Sequence, residues 1–109
     1  MTAVHQDAIE FAYDDLMKAV SNHGQAVTEL IEAKRAYESR KAELISAGVE
    51  GKNADQRDAA LALAMLKESQ AVMIAEDAER QAKLMYTLAD LERSKLRMTI
   101  QNEGNHERE

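Results

Sequence analysis

The chain has 109 residues, no cysteine, proline or tryptophan, and 20 acidic against 14 basic side chains, for a net charge of −6. That length holds one domain, and the missing cysteine excludes disulfides, thiolate nucleophiles and Cys-type zinc sites together. No stretch approaches the ~20 apolar residues of a membrane span, and a mixed polar segment follows Met1 where a signal peptide would carry an apolar run, so the expected compartment is the cytoplasm, that of the host cell if the protein comes from a phage.

The first element is set by a seven-residue beat. Ile9, Leu16, His23, Leu30, Tyr37 and Leu44 recur at heptad spacing, with Ala12, Ala19, Ala26 and Ala33 halfway between them. Strong helix formers dominate, and the spacing predicts one long helix from Thr2 or Ala3 to about Ser46. Ser21-Asn22-His23-Gly24 is its weak point, because Ser, Asn and Gly favour leaving a helix. The beat keeps step across it, so a single helix, bent at most, is expected there.

The turn follows at residues 47–52. Gly48 suits a left-handed residue just past the helix end, Gly51 is a second permissive position, and Asn53 has N-cap chemistry with Gln56 three residues on, a variant capping box. Asp55 and Asp58 then load the first turn of a second helix with negative charge, and Arg93, Lys95 and Arg97 load its last turns with positive charge. This helix is expected from about Ala54 to about Gln101, on a second beat of Leu61, Glu68, Ala75, Ala82, Ala89 and Leu96. Residues 102–109 are polar and contain Gly104, so a frayed tail is expected beyond a single domain of residues 1–101.

The fold class is therefore all-α: a long antiparallel two-helix hairpin, coiled-coil-like, whose seam is Ile9, Leu16, His23, Leu30, Tyr37 and Leu44 against Ala75, Ala82 and Ala89. Folding at residues 47–52 places His23 opposite Glu76 and Glu79. One hairpin cannot cover all the apolar surface. The second helix carries a further row of Leu63, Leu66, Met73, Ile74, Leu84, Leu88, Leu91 and Met98, and the first has extra apolar residues at Met17, Val20, Val27, Ile31 and Ile45. Exposed patches of that size mark interaction surfaces. The row on the second helix is expected to make a homo-oligomer, a four-helix-bundle dimer being favoured over higher assemblies, with a hetero-partner as the alternative cover.

Little in the pattern points to catalysis. A His–Glu pair at His23 would make a pH switch, but the favoured reading is a polar seam residue that fixes register. Glu68 could meet Lys34 in the same way. Only His106 stands three residues after a Glu, at Glu103, and a di-iron bundle requires such pairs on facing helices, so no metal and no cofactor are expected. The acids Asp14/Asp15 and Glu76/Asp77/Glu79 have the spacing of solvated helix faces. Lys52 and Arg57 at the turn are candidate anion contacts at a helix N-terminus, although turn chemistry explains the same residues. The charge excess is spread thinly and no basic stripe exists, which argues against direct nucleic-acid binding.

The run Gly51-Lys52-Asn53-Ala54-Asp55-Gln56-Arg57 between two long helices resembles a turn of small uncharacterised bacteriophage and prophage proteins. In these a Gly-Lys-Asn-Ala-x-x-Arg run opens an Ala/Glu/Arg-rich second helix. The resemblance implies a phage origin and a role in countering or redirecting host machinery, and supplies no catalytic residues. The expected function is that of a non-enzymatic protein–protein interaction module, an inhibitor or accessory factor with a protein target. The alternatives are an oligomer that sequesters a nucleotide, with Lys52, Arg57 or Arg40 on phosphate, and a structural subunit of a virion or larger complex.

Overall fold

The computed structural model describes residues 3–108, with side chains from 4 to 105; the candidate helix start at Thr2 and the last tail residue, Glu109, lie outside them. Three helices follow in order: α1 (Ala3–Ala47), α2 (Ala54–Ala64) and α3 (Leu66–Arg108). Among the described residues 93% are helical and none is in a strand, and the long helices pair as an all-α hairpin. α1 runs unbroken through Gly24. Its low-propensity run costs less than abandoning the heptad seam on both sides.

α1 stops where Gly48 takes a left-handed φ of 90°. The Gly48 N–H donates to the Ile45 carbonyl at 3.2 Å, and Val49 shares a cleft with Leu44, the two positions whose side chains meet in a Schellman ending. Gly51 has φ 152°, and a Cβ there would lie 2.7 Å from the Arg57 nitrogen, so glycine is required on both counts. Asn53 is extended, and its Oδ1 accepts from the Gln56 N–H at 2.8 Å. The Gln56 Oε1 accepts from the Lys52 N–H at 2.8 Å, one residue further back than in the usual capping box.

The chain forms two compact units. One holds α1 up to Gln25 with α3 from Arg80 onward; the other is Ala26–Glu79. In the first, Ala19 and Ala89 are buried, His23 stacks on Tyr86 with ring centroids 6.2 Å apart, and His5 Nε2 lies 2.9 Å from Glu103 Oε2. In the second, Ala26 and Met65 are buried, and Leu44 meets Leu61 and Ala64 around one cleft. Both units are antiparallel helix pairs with buried alanines, joined in the second by Met65.

Three features differ from expectation. The register is displaced: His23 lies at Tyr86, about a heptad beyond Glu76 and Glu79. In the second unit, Val49 lines one cleft with Leu44, Ala60, Leu61 and Ala64. The turn therefore lies alongside α2, and residues 54–59 are all left exposed. The second helix is also interrupted. Met65, with φ −96° and ψ 5°, leaves the helical region while its side chain is 1% exposed, so one residue departs from helix geometry as its thioether enters the seam. Finally, residues 102–108 are helical, not frayed. The contact of His5 with Glu103 ties that last stretch to α1, and Gly104 is half-buried.

Candidate interaction surface

The inward faces follow the two heptad beats. Leu16, His23, Leu30, Tyr37 and Leu44 on α1 are half-buried, as are Leu61, Glu68, Ala75, Ala82 and Leu96, while Ala89 is buried; Ile9 sits just on the exposed side. Four apolar residues are buried among the described residues: Ala19, Ala26, Met65 and Ala89, of which Met65 is the most enclosed. Three of these are alanines, each with a single methyl to remove from water, so the seam brings backbones close but yields little of the ~25 cal/mol per Å² that burial supplies.

The outward faces hold the large side chains. All eight residues of the row on the second helix are exposed, from Leu88 at 45% to Leu63 at 75%. Leu84, Leu88 and Leu91 recur at i, i+4 and i+7, which sets them on one face of α3 with Leu88 within reach of both neighbours. α1 has its own outer row of Tyr13, Met17 and Val20, leading to Gly24, at which an added Cβ would meet open space. The accessible surface totals 8670 Å², against about 6,100 Å² from the scaling for folded monomers of this mass.

Two arginine–carboxylate pairs lie within single helices. Arg40 Nη1 donates to Glu43 Oε2 at 3.3 Å, and Arg93 Nη2 to Asp90 Oδ1 at 3.2 Å. Glu68 Oε2 and Arg93 Nε are enclosed without a hydrogen-bond partner among the described residues, and Lys34 lines a cleft with Tyr37, Ser69 and Val72. At the turn, Lys52 and Arg57 are exposed. The Lys52 and Gln56 N–H groups are already bonded to side-chain oxygens, and Asp55 occupies the first turn of α2, so the geometry favours capping over anion capture. Arginine lines a cleft elsewhere: Ile9, Ala12, Leu96 and Ile100 form an apolar trough of about 200 Å³ with Tyr13, Arg93 and Arg97 at its sides. No group of three or more His, Asp or Glu among the described residues could hold a metal ion. No described helix is long and apolar enough to cross a membrane.

The sequence reading passed over Tyr86. Tyr86 lies on α3 one step off the alanine beat, and its role follows only from the true register. Met65 was signalled, since Leu61, Met65 and Glu68 continue the four-and-three spacing of the seam.

Fold and surface together define a small all-α helical-hairpin protein with an alanine-lined seam and large apolar side chains turned outward. No family model, curated protein or solved structure matches the chain.

Proposed function

We propose that this protein is a non-enzymatic protein–protein interaction module that self-associates through the outer face of α3. The observation that carries the proposal is the exposed row containing Leu84, Leu88, Leu91 and Met98. Contiguous apolar surface of this extent in a protein that keeps so little of its apolar side chain inside is best accounted for by a partner. Self-association on α3 leaves the outer row of α1 and the polar faces for a target protein. The Gly-Lys-Asn-Ala-x-x-Arg turn further supports a phage-encoded inhibitor or accessory factor acting on host machinery.

Sedimentation equilibrium across a micromolar concentration series tests the assembly. The expected result is a dimer or higher oligomer, and Leu84→Asp with Leu88→Asp should yield monomer or unfolded chain. A monomer that stays compact and heat-stable at micromolar concentration, or an assembly indifferent to both substitutions, overturns the proposal. Tagged protein retrieved from host lysate then tests the target, and repeated recovery of the protein alone counts against a regulatory role.

A further inference from the structure

α3 is one continuous helix, and its outward row runs from Gln70 to Asn102 in alternating steps of four and three residues, every member exposed. Such a row is a second coiled-coil seam, on the side away from the hairpin seam. In an antiparallel pair of identical helices, layers join a residue of the first kind to one of the second, and a two-fold axis relates the two halves.

Laid against itself with the axis level with Tyr86, this row is nearly palindromic. Leu84 meets Leu88, Ile74 meets Met98, Asp77 meets Lys95, and Gln70 meets Asn102; only Gln81 against Leu91 is mixed. The flanking positions agree. Met85 meets its own copy, Thr87 meets its own copy, and Arg80 lies beside Ser94, so no like charges come together.

Other alignments do worse. Sliding one heptad in one direction sets Leu84 on Lys95; sliding in the other sets Asp77 on Leu88. A parallel, in-register pair opposes Asp77 to Asp77 and Lys95 to Lys95, and like charges in facing positions repel.

We infer that α3 pairs antiparallel with α3 of a second copy of this chain, about a two-fold axis between Leu84 and Leu88, with Asp77 of each copy facing Lys95 of the other. The inference rests on the self-association proposed above and adds the occupant, its direction and its register. The charge pair selects the alignment and the leucines hold it.

Because the native chain has no cysteine, single-cysteine variants report the pairing cleanly. Full-length Asp77→Cys and Lys95→Cys proteins, each dimeric by sedimentation, are mixed and treated with a short bis-maleimide. The expected product is the mixed cross-linked dimer, with little product from either protein alone. In parallel, Asp77→Lys should weaken dimerisation about tenfold, as two symmetry-related contacts turn repulsive, and Lys95→Asp in the same chain should restore it. Dimers that cross-link only as like pairs, or not at all, overturn the inference while self-association stands, and so does a double variant that fails to recover. A wild-type chain that stays monomeric at tens of micromolar overturns both.

Discussion

The Asn53 carboxamide bonds the Gln56 N–H, and the Gln56 carboxamide bonds the Lys52 N–H, so two groups that helix α2 would leave bare are met by side chains next door. Asn53→Ala removes the first bond and leaves the Gln56 N–H without its side-chain acceptor. The expected cost is ~1 kcal/mol, read as a fall in Tm of about 5 °C by circular dichroism. An unchanged Tm would show that this end of α2 adds nothing to the cooperative fold. These contacts were legible from the letters, since Asn, Gln and the two glycines each serve backbone geometry within a few residues of themselves. The Gln56 oxygen reached Lys52 where a regular capping box would return to Asn53, because Gly51 and Lys52 fold back over the first turn, and a Cβ on Gly51 would strike Arg57.

Helix α1 carries Gly24 at an exposed position where a methyl would meet open space. Gly24→Ala should therefore stabilise the protein by ~1 kcal/mol, measured by chemical denaturation with an unchanged slope. A loss of stability instead would mean that another helix approaches the backbone at that point. The continuity of α1 was readable because its beat keeps phase from Leu16 to Leu30. The interruption at Met65 was not readable, and the reason is the same: Leu61, Met65, Glu68 and Val72 also keep phase, so a one-residue departure from helix geometry leaves no trace in the spacing. Register was lost for a different reason. It depends on how the six residues between α1 and α2 lie, and the cleft that Val49 shares with Ala60, Leu61 and Ala64 is a tertiary feature that no local preference announces. The tail was misjudged because its helicity comes with a contact from His5, nearly a hundred residues away in sequence.

An accessible surface of 8670 Å² on a 12.2 kDa chain leaves an excess of about 2,600 Å² over the folded-monomer scaling. A standard interface removes ~800 Å² from each partner, so the excess is more than one such contact would cover. If folding is linked to association, Tm must depend on chain concentration, and a hundredfold rise should add ~2.7 kcal/mol to the stability of the dimer. Calorimetry over that range checks it, and a Tm independent of concentration would speak for a self-sufficient hairpin. All-α class and the inward and outward faces were legible at this level because periodicity reports which side of a helix is dry. The identity of whatever covers the outward side is carried by another surface, and only where that surface is a second copy of the same chain do the letters contain both halves.

Alanines close the seam in both units, at Ala19 and Ala89 in one and at Ala26 in the other, and this leaves evolution an uneven choice. Any larger residue at these three sites acts as a wedge between backbones, whereas the outward positions can exchange one oily or charged residue for another as partners change. Descendants of this chain should thus diverge quickly on the outside and keep the rhythm of their methyl groups inside. A distant cousin would be known by its spacing long after its letters had ceased to match.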